Sequence, residues 1–301
     1  MSLNDIGIQT MRLQTRFSLA LLALSVAGFG LSVGVTYRVL LANAKDEVLR
    51  NGALMMETAL AVRSYTVDEI KPHLDPLLAR EFLPQTVPAY SAVETFTRLQ
   101  KKYPEYSYRE AALNPTNPRD LGNSWETAII RGFRERDAKE VVGERRTVTG
   151  TSLYIARPIR ITNAACLGCH STPEAAPASL IARYGDKNGF GWQHNEIIGA
   201  QIVTVPMNLA EKSAVQAFWA FASVLAGIFA AIFLVVNLML SRLVITPLRR
   251  IALGSEEISK GNLDLAEFPE RGAEEIRNLE ASFNRLRRSV EKAMRSAQIQ
   301  K

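Results

Sequence analysis

Two stretches of this chain, residues 17–37 and residues 213–241, contain no charged residue. A helix that crosses the hydrocarbon core of a bilayer needs about 20 predominantly apolar residues. Neither stretch shows a polar face at any period, which counts against two buried core helices of a soluble domain. Arg12 and Arg16 precede the first stretch, and Arg242, Arg249 and Arg250 follow the second. Arg and Lys gather on the cytoplasmic side of membrane spans. The asymmetry predicts a two-pass protein of the inner (cytoplasmic) membrane with both termini cytoplasmic. The long intervening segment then lies outside, in the periplasm of a bacterium. The net charge of +6 sits largely at these flanks, so membrane lipids are expected neighbours and nucleic acid is not. Ala42-Asn43-Ala44 could pass for a signal-peptidase site. The apolar run before it is longer than the roughly 7–15 residues of a cleaved signal, and Arg38 interrupts the approach, so an uncleaved anchor is expected.

The chain divides on this basis into a cytoplasmic N-terminus (1–16), a first span (17–41), an external domain (42–212), a second span (213–241), a cytoplasmic helical region (242–296) and a tail (297–301). In the external domain, Ala44 to about Thr66 reads as a helix with an apolar stripe at Val48, Gly52, Met55, Met56, Ala59 and Leu60. Residues 89–102 and 124–136 are further helix candidates. The second of these starts at Ser124 or is capped by Asn123, and it turns Trp125, Ile129 and Phe133 inward. From Glu140 the period changes: "RRTVTGTSLYIARPIRI" alternates around Gly150, and "IIGAQIVTVPMNL" is rich in β-branched residues, so both predict antiparallel strands. Helices first and strands after make an α+β layout with a small antiparallel sheet, in which a strand feeds directly into the second span. Beyond it, Leu248, Ile251, Ser255 and Ile258, then Ile276, Leu279, Phe283, Leu286, Val290 and Ala293, follow heptad spacing. These predict two short helices, each two to three turns or a little longer. A seam of this kind seeks partners, and two such helices per chain complete a four-helix bundle only in a homodimer.

The chemistry is concentrated in "NAACLGCHS" (163–171), which holds both cysteines and one of the three histidines of the chain. Cys166-x-x-Cys169-His170 has the spacing of a c-type haem attachment site. Two thiols three apart on a turn reach two vinyl groups, and the adjacent imidazole is brought under the iron as proximal ligand. One covalent haem c is the expected cofactor. A thioredoxin-like redox pair would need a strand-to-helix setting. A zinc site would need His73 and His194 to complete four ligands. A structural disulfide is compatible with an oxidising compartment.

Candidates for the opposite side of the iron are Met56, Met55, His194 and His73, in that order; two adjacent methionines in an apolar helix are also ordinary core filler. A five-coordinate site open to a small gas is the remaining arrangement. Arg157, Arg183, Tyr184 and Arg119 are candidate propionate partners, and Trp192, Trp125, Phe190 and Phe133 are candidate haem walls. The scattered carboxylates and remaining histidines form no catalytic constellation at local spacing, so enzymatic activity is not expected.

Several stretches taken together, "YPEYSYREAALNPTNPRD", "WETAIIRGF", "LYIARPI", "CLGCHSTPEAAP" and "YGDKNGFGW…EIIGAQIVTVP", resemble the Tll0287-like haem-binding sensor domain over about residues 45–210. The tail "ITPLRRIALGSEEISKGNLD…EEIRNLEASFNRLRRSV" resembles a HAMP linker, with Pro247 and Gly261 at the matching positions. The resemblance implies a PAS-like external domain holding haem through Cys166, Cys169 and His170. It also implies a distal ligand from the helix after the first span, which points to Met55 or Met56 over His194. The function implied is a membrane-anchored sensor of redox state or of a small gas. Seven residues follow Met294, so output is expected through a separate signalling partner. A membrane-anchored electron-transfer cytochrome with a redox partner is the alternative, and the heptad tail counts against it.

Overall fold

The computed structural model describes residues 13–147, 150–262, 264–269 and 272–299. Arg12 and most of the N-terminal segment, Val148 and Thr149 of the alternating segment, Leu263 of the C-terminal connector and the last two residues of the tail lie outside the described residues. The chain separates into two compact units: residues 37–217, and residues 1–36 together with 218–301.

Residues 37–217 are built on a four-stranded antiparallel sheet of order β1-β4-β3-β2. The strands are β1 (Ser107–Ala112), β2 (Val141–Thr147), β3 (Gly150–Arg160) and β4 (Ile197–Pro206). Strand β4 is central and almost wholly buried, which is why it reads as a continuous β-branched run rather than an alternating one. Side chains alternate between the two faces of the sheet. Leu153, Ile155, Val203 and Val205 face helix α1 (Leu13–Tyr65), packing with its Val48, Met56 and Ala59 and with Ala92 and Phe96 of α3 (Pro88–Gln100). Ala111, Ala156, Ala200 and Ile202 face α4 (Ser124–Arg136), where Ile130 and Phe133 are fully buried.

Two expectations are revised. The helix after the first span continues it directly, and α1 runs without a break from the apolar stretch to Tyr65. Strand β1 interrupts the helices-first order. Its sequence, Ser-Tyr-Arg-Glu-Ala-Ala, has no β-branched residue and no strand signature of its own; it is a strand because it completes the hydrogen bonding of β4. In α4 the deepest side chains are Ile130, Phe133 and Glu126, with Trp125 and Ile129 at the margin. Glu126 is buried because it closes a capping box: Asn123 Oδ1 accepts from the Glu126 backbone N–H at 3.2 Å, and the Glu126 carboxylate accepts from the Asn123 N–H at 2.9 Å.

In the other unit, the apolar parts of α1 and of α7 (Asn208–Leu240) lie side by side. Phe29 meets Phe229 edge to face at 6.1 Å, and Ser18 Oγ donates to Asn237 Oδ1 at 2.8 Å. A polar pair between two apolar helices satisfies groups that lipid cannot. Two helical stretches, Gln14–Leu77 and Asn208–Ser259, are long and apolar enough to cross a membrane. The C-terminal helices are α8 (Thr246–Ser259) and α9 (Glu274–Ile299), the latter much longer than the heptad count predicted. Asn284 holds the connector, accepting from the Phe268 N–H at 2.9 Å and donating to its carbonyl at 3.0 Å. The heptad positions Leu279 and Leu286 stay 36 % and 55 % exposed, the condition of a seam whose partner is another chain.

Gly199 sits where β4 passes closest to β1. A Cβ there would lie 2.3 Å from the Ala111 carbonyl oxygen, a backbone atom with nowhere to go. Gly199→Ala is expected to destabilise the sheet domain by about 1–3 kcal/mol, read as a lowered denaturation midpoint of the purified protein by circular dichroism.

Candidate haem site

The cysteine loop follows β3 at one end of the sheet. Asn163 Oδ1 accepts from the Ala165 N–H at 2.9 Å and opens a tight turn (Ala164–Cys166), which runs into the single helical turn α5 (Leu167–His170). Residues three apart on a helical turn share a side, so Cys166 and Cys169 are neighbours; both are free thiols and half-buried. Cys166 packs with Leu167 and Trp192 against Ala112, Ile161 and Ile198, so the loop is seated on the sheet and not suspended in solvent.

A second segment clamps His170. The Gly191 N–H donates to the Ser171 carbonyl at 2.9 Å, and the Trp192 N–H to the His170 carbonyl at 3.2 Å. The Trp192 ring stacks on the imidazole with centroids 3.9 Å apart and planes 16° from parallel. His170 Nδ1 lies 2.8 Å from the Gly189 carbonyl oxygen and 3.4 Å from Thr116 Oγ1. A carbonyl can only accept, so Nδ1 carries the proton and the Nε2 lone pair is left available. Burial pushes the imidazole below its ordinary pKa despite the hydrogen bond to Gly189. A neutral, oriented imidazole with a free Nε2 is what a metal ligand requires. Burial likewise pushes the Cys169 thiol up, with Lys71 and Asp75 the nearest charged groups.

The candidates named from sequence divide sharply. Cys166, Cys169, His170 and Trp192 are brought together. Met56 is not beside them: it is fully buried in the cluster between α1 and the sheet, with Met55 at its edge. His194 and His73 are exposed, but His73 belongs to the short helix α2 (Lys71–Leu74), whose Lys71 lies within electrostatic reach of Cys169. Arg157 is occupied by Glu57 at 2.7 Å and Glu140 at 2.8 Å, and Arg119 by Glu94 at 2.6 Å and Asp120 at 3.2 Å. Arg183 lies on α6 (Ala178–Tyr184), over the ring of Tyr184, which packs edge-on to Phe82. Phe133 is core, Trp125 packs on Tyr154 of the sheet, and the Phe190 carbonyl accepts from Asn114 Nδ2 at 3.3 Å. Among the described residues, no three His, Cys, Asp or Glu side chains gather to hold a metal ion, which removes the support for a zinc site.

Other residues at the site had no sequence signal. Arg63 of α1 pairs with the buried Glu110, which also accepts from Tyr108 Oη at 2.7 Å; Gln201 Nε2 donates to the same hydroxyl at 3.1 Å. Burial, then the Glu110 charge, pushes the Tyr108 pKa upward. Asn114, Thr116 and Gly189 form the brace behind His170, with the Gly189 N–H donating to Asn114 Oδ1 at 3.1 Å. The Asn-Pro repeats at 114–118 mark a turn but say nothing of what that turn supports.

A mixed α+β domain inserted between two apolar helices and followed by a helical tail is the architecture of a membrane signalling sensor. The chain belongs to the Tll0287-like family, whose model matches residues 41–206, more than half of its length. A HAMP domain model matches residues 239–292, and such a domain implies oligomerisation and a downstream partner. No curated protein matches the sequence. The crystal structure of the cyanobacterial heme-protein Tll0287 is similar over 53 % of this chain and 95 % of its own, at 17 % identity and a TM-score of 0.42.

Gly189 has φ +83°, and a Cβ on it would fall 2.0 Å from Thr116 Oγ1; Gly185 has φ +80° with open space around it. Both carry the cost of left-handed backbone, but only the first collides with the brace. Gly189→Ala is expected to lower the unfolding midpoint well beyond Gly185→Ala in parallel denaturant titrations.

Proposed function

We propose that the domain between the two apolar helices holds one haem c covalently and senses the redox state of its iron or a small gas bound to it. The observation that carries this reading is the Cys166-x-x-Cys169-His170 turn, with the His170 Nδ1 proton committed to the Gly189 carbonyl. Each cysteine S–H would add across one vinyl C=C of the porphyrin, with nothing lost, and His170 Nε2 would ligate the iron. When bound, the haem supplies an iron that changes oxidation state and accepts small ligands. Trp192 and the Gly189 carbonyl hold the imidazole in one orientation and one tautomer. Arg63 and Lys71 bring positive charge to the cysteine side, and Arg183 is the candidate propionate partner that the structure leaves without a carboxylate among the described residues. Met56 and Met55 remain ligand candidates on α1. His73, on the exposed helix α2, and His194 are candidates beside them.

The signalling path follows chain continuity. Helix α1 leaves the haem domain as the first apolar helix, and β4 passes into α7 within two residues. A shift in either element would bias the packing of the C-terminal helices of a homodimer, which would act on a separate output partner without catalysis by this chain. The HAMP match supports this over the electron-carrier reading, for a carrier has no use for a dimer bundle. The haem domain would be periplasmic, with both termini in the cytoplasm of the bacterial inner membrane.

Protein matured in cells equipped for cytochrome c assembly is expected to show one haem mass added to the polypeptide, and a narrow reduced band in the mid-550s nm region in pyridine (a general property of haem c). A bare polypeptide mass would overturn the reading. Cys166→Ala with Cys169→Ala is expected to abolish covalent attachment.

His73→Gln and Met56→Leu identify the sixth ligand. The variant that shifts the spectrum in either oxidation state names it, and unchanged spectra in both remove His73 and Met56 from the candidates.

A further inference from the structure

The sheet face that carries α4 is only half covered by it. Beyond α4 lies a cavity of about 770 Å³, within the range of small-molecule sites, walled by same-face residues of the strands and by the first turns of α7. Its apolar wall is Trp125, Ile202 and Leu209, and Ser152 and Thr204 bring hydroxyls to its floor. Four charged groups besides Lys212 line it. Arg109 and Glu126 neutralise each other through a 2.9 Å ion pair. Arg145 has no acidic partner among the described residues; its guanidinium lies 4.3 Å above the Trp125 ring. Lys212 has no acidic partner among them either, and Glu105 is the one carboxylate left to oppose both cations. Among the described residues the buried Trp125 Nε1–H meets no hydrogen-bond acceptor.

We propose that this cavity binds a small organic monocarboxylate with an apolar body. The Arg145 guanidinium, held over the Trp125 ring, supplies a pair of donors suited to one carboxylate. Two cations set against Glu105 leave an excess of one positive charge, which a monoanion matches. Trp125, Ile202 and Leu209 cover the apolar part. The site is separate from the cysteine loop, and it does not depend on the haem reading. Its position gives it a consequence: Thr204 is on β4, and Asn208, Leu209 and Lys212 are the first residues of α7. A ligand lodged here touches both the strand and the start of the apolar helix that continues it, so occupancy would bear on the same output element as the haem.

The test is calorimetric titration of the full-length protein, in detergent without anionic lipid, with benzoate and hexanoate, and with benzamide as the uncharged match. Saturable binding of at least one carboxylate and none of benzamide is expected. Arg145→Gln is expected to weaken binding about tenfold or more, Arg145→Lys to recover part of the loss, and Trp125→Phe, a weaker platform for the guanidinium, to weaken it less than Arg145→Gln. The haem absorption spectrum should be unchanged in all three variants, which separates failure at this site from failure at the cysteine loop. Absence of saturable binding by both carboxylates, equal binding of benzamide, or undiminished binding by Arg145→Gln would overturn the proposal.

Discussion

Everything in the extramembranous domain depends on β4 being hydrogen-bonded along both edges. Its pairing with β1 and β3 fixes the register of three strands at once. Alternation along those strands then decides which residues meet α1 and which meet α4. Gly199 allows β1 to approach closely, and that contact carries Ala112 and the following Asn-Pro turn to the end of the sheet where the cysteine loop sits. Because β4 runs into α7 after Pro206, the most constrained strand of the domain is also the one joined to an apolar helix.

The cysteine loop shows how a short local motif depends on distant residues. A helical turn is enough to put Cys166 and Cys169 on one side. It does not orient His170. The orientation comes from Gly189 and Trp192, about twenty residues later, and from Asn114 and Thr116, more than fifty residues earlier. The aromatic face and the carbonyl hold the imidazole in one orientation and one tautomer. The neighbouring Arg63–Glu110–Tyr108 network ties α1 to β1 beside the same loop. Truncating one member of such a pair leaves a buried charge uncompensated, so the network fixes relative position more than it adds stability.

Much of this was legible in the residues. The cap at Asn123, the alternation around Gly150 and the apolar run of β4 each rest on neighbours within a few positions, and the structure agrees with them. What was not legible shares a cause as well. Strand β1 has no local β preference and exists through its partner. Met56 is a ligand candidate by residue type, and its packing against Leu153 and Val203 is set by the sheet. Arg157 and Arg119 look available in sequence, but carboxylates brought in by other elements occupy them.

The sequence by itself determined the two apolar helices, the heptad tail and the cysteine-histidine turn, because each is encoded in a short stretch whose physics is local: hydropathy, helical period, bond reach. Only the tertiary structure decided which wall faces the cysteines, which cations stay unpaired, and where an indole N–H is left without an acceptor. Those are relations between residues far apart in the chain, and nothing short of the folded packing brings them within a few ångströms of one another.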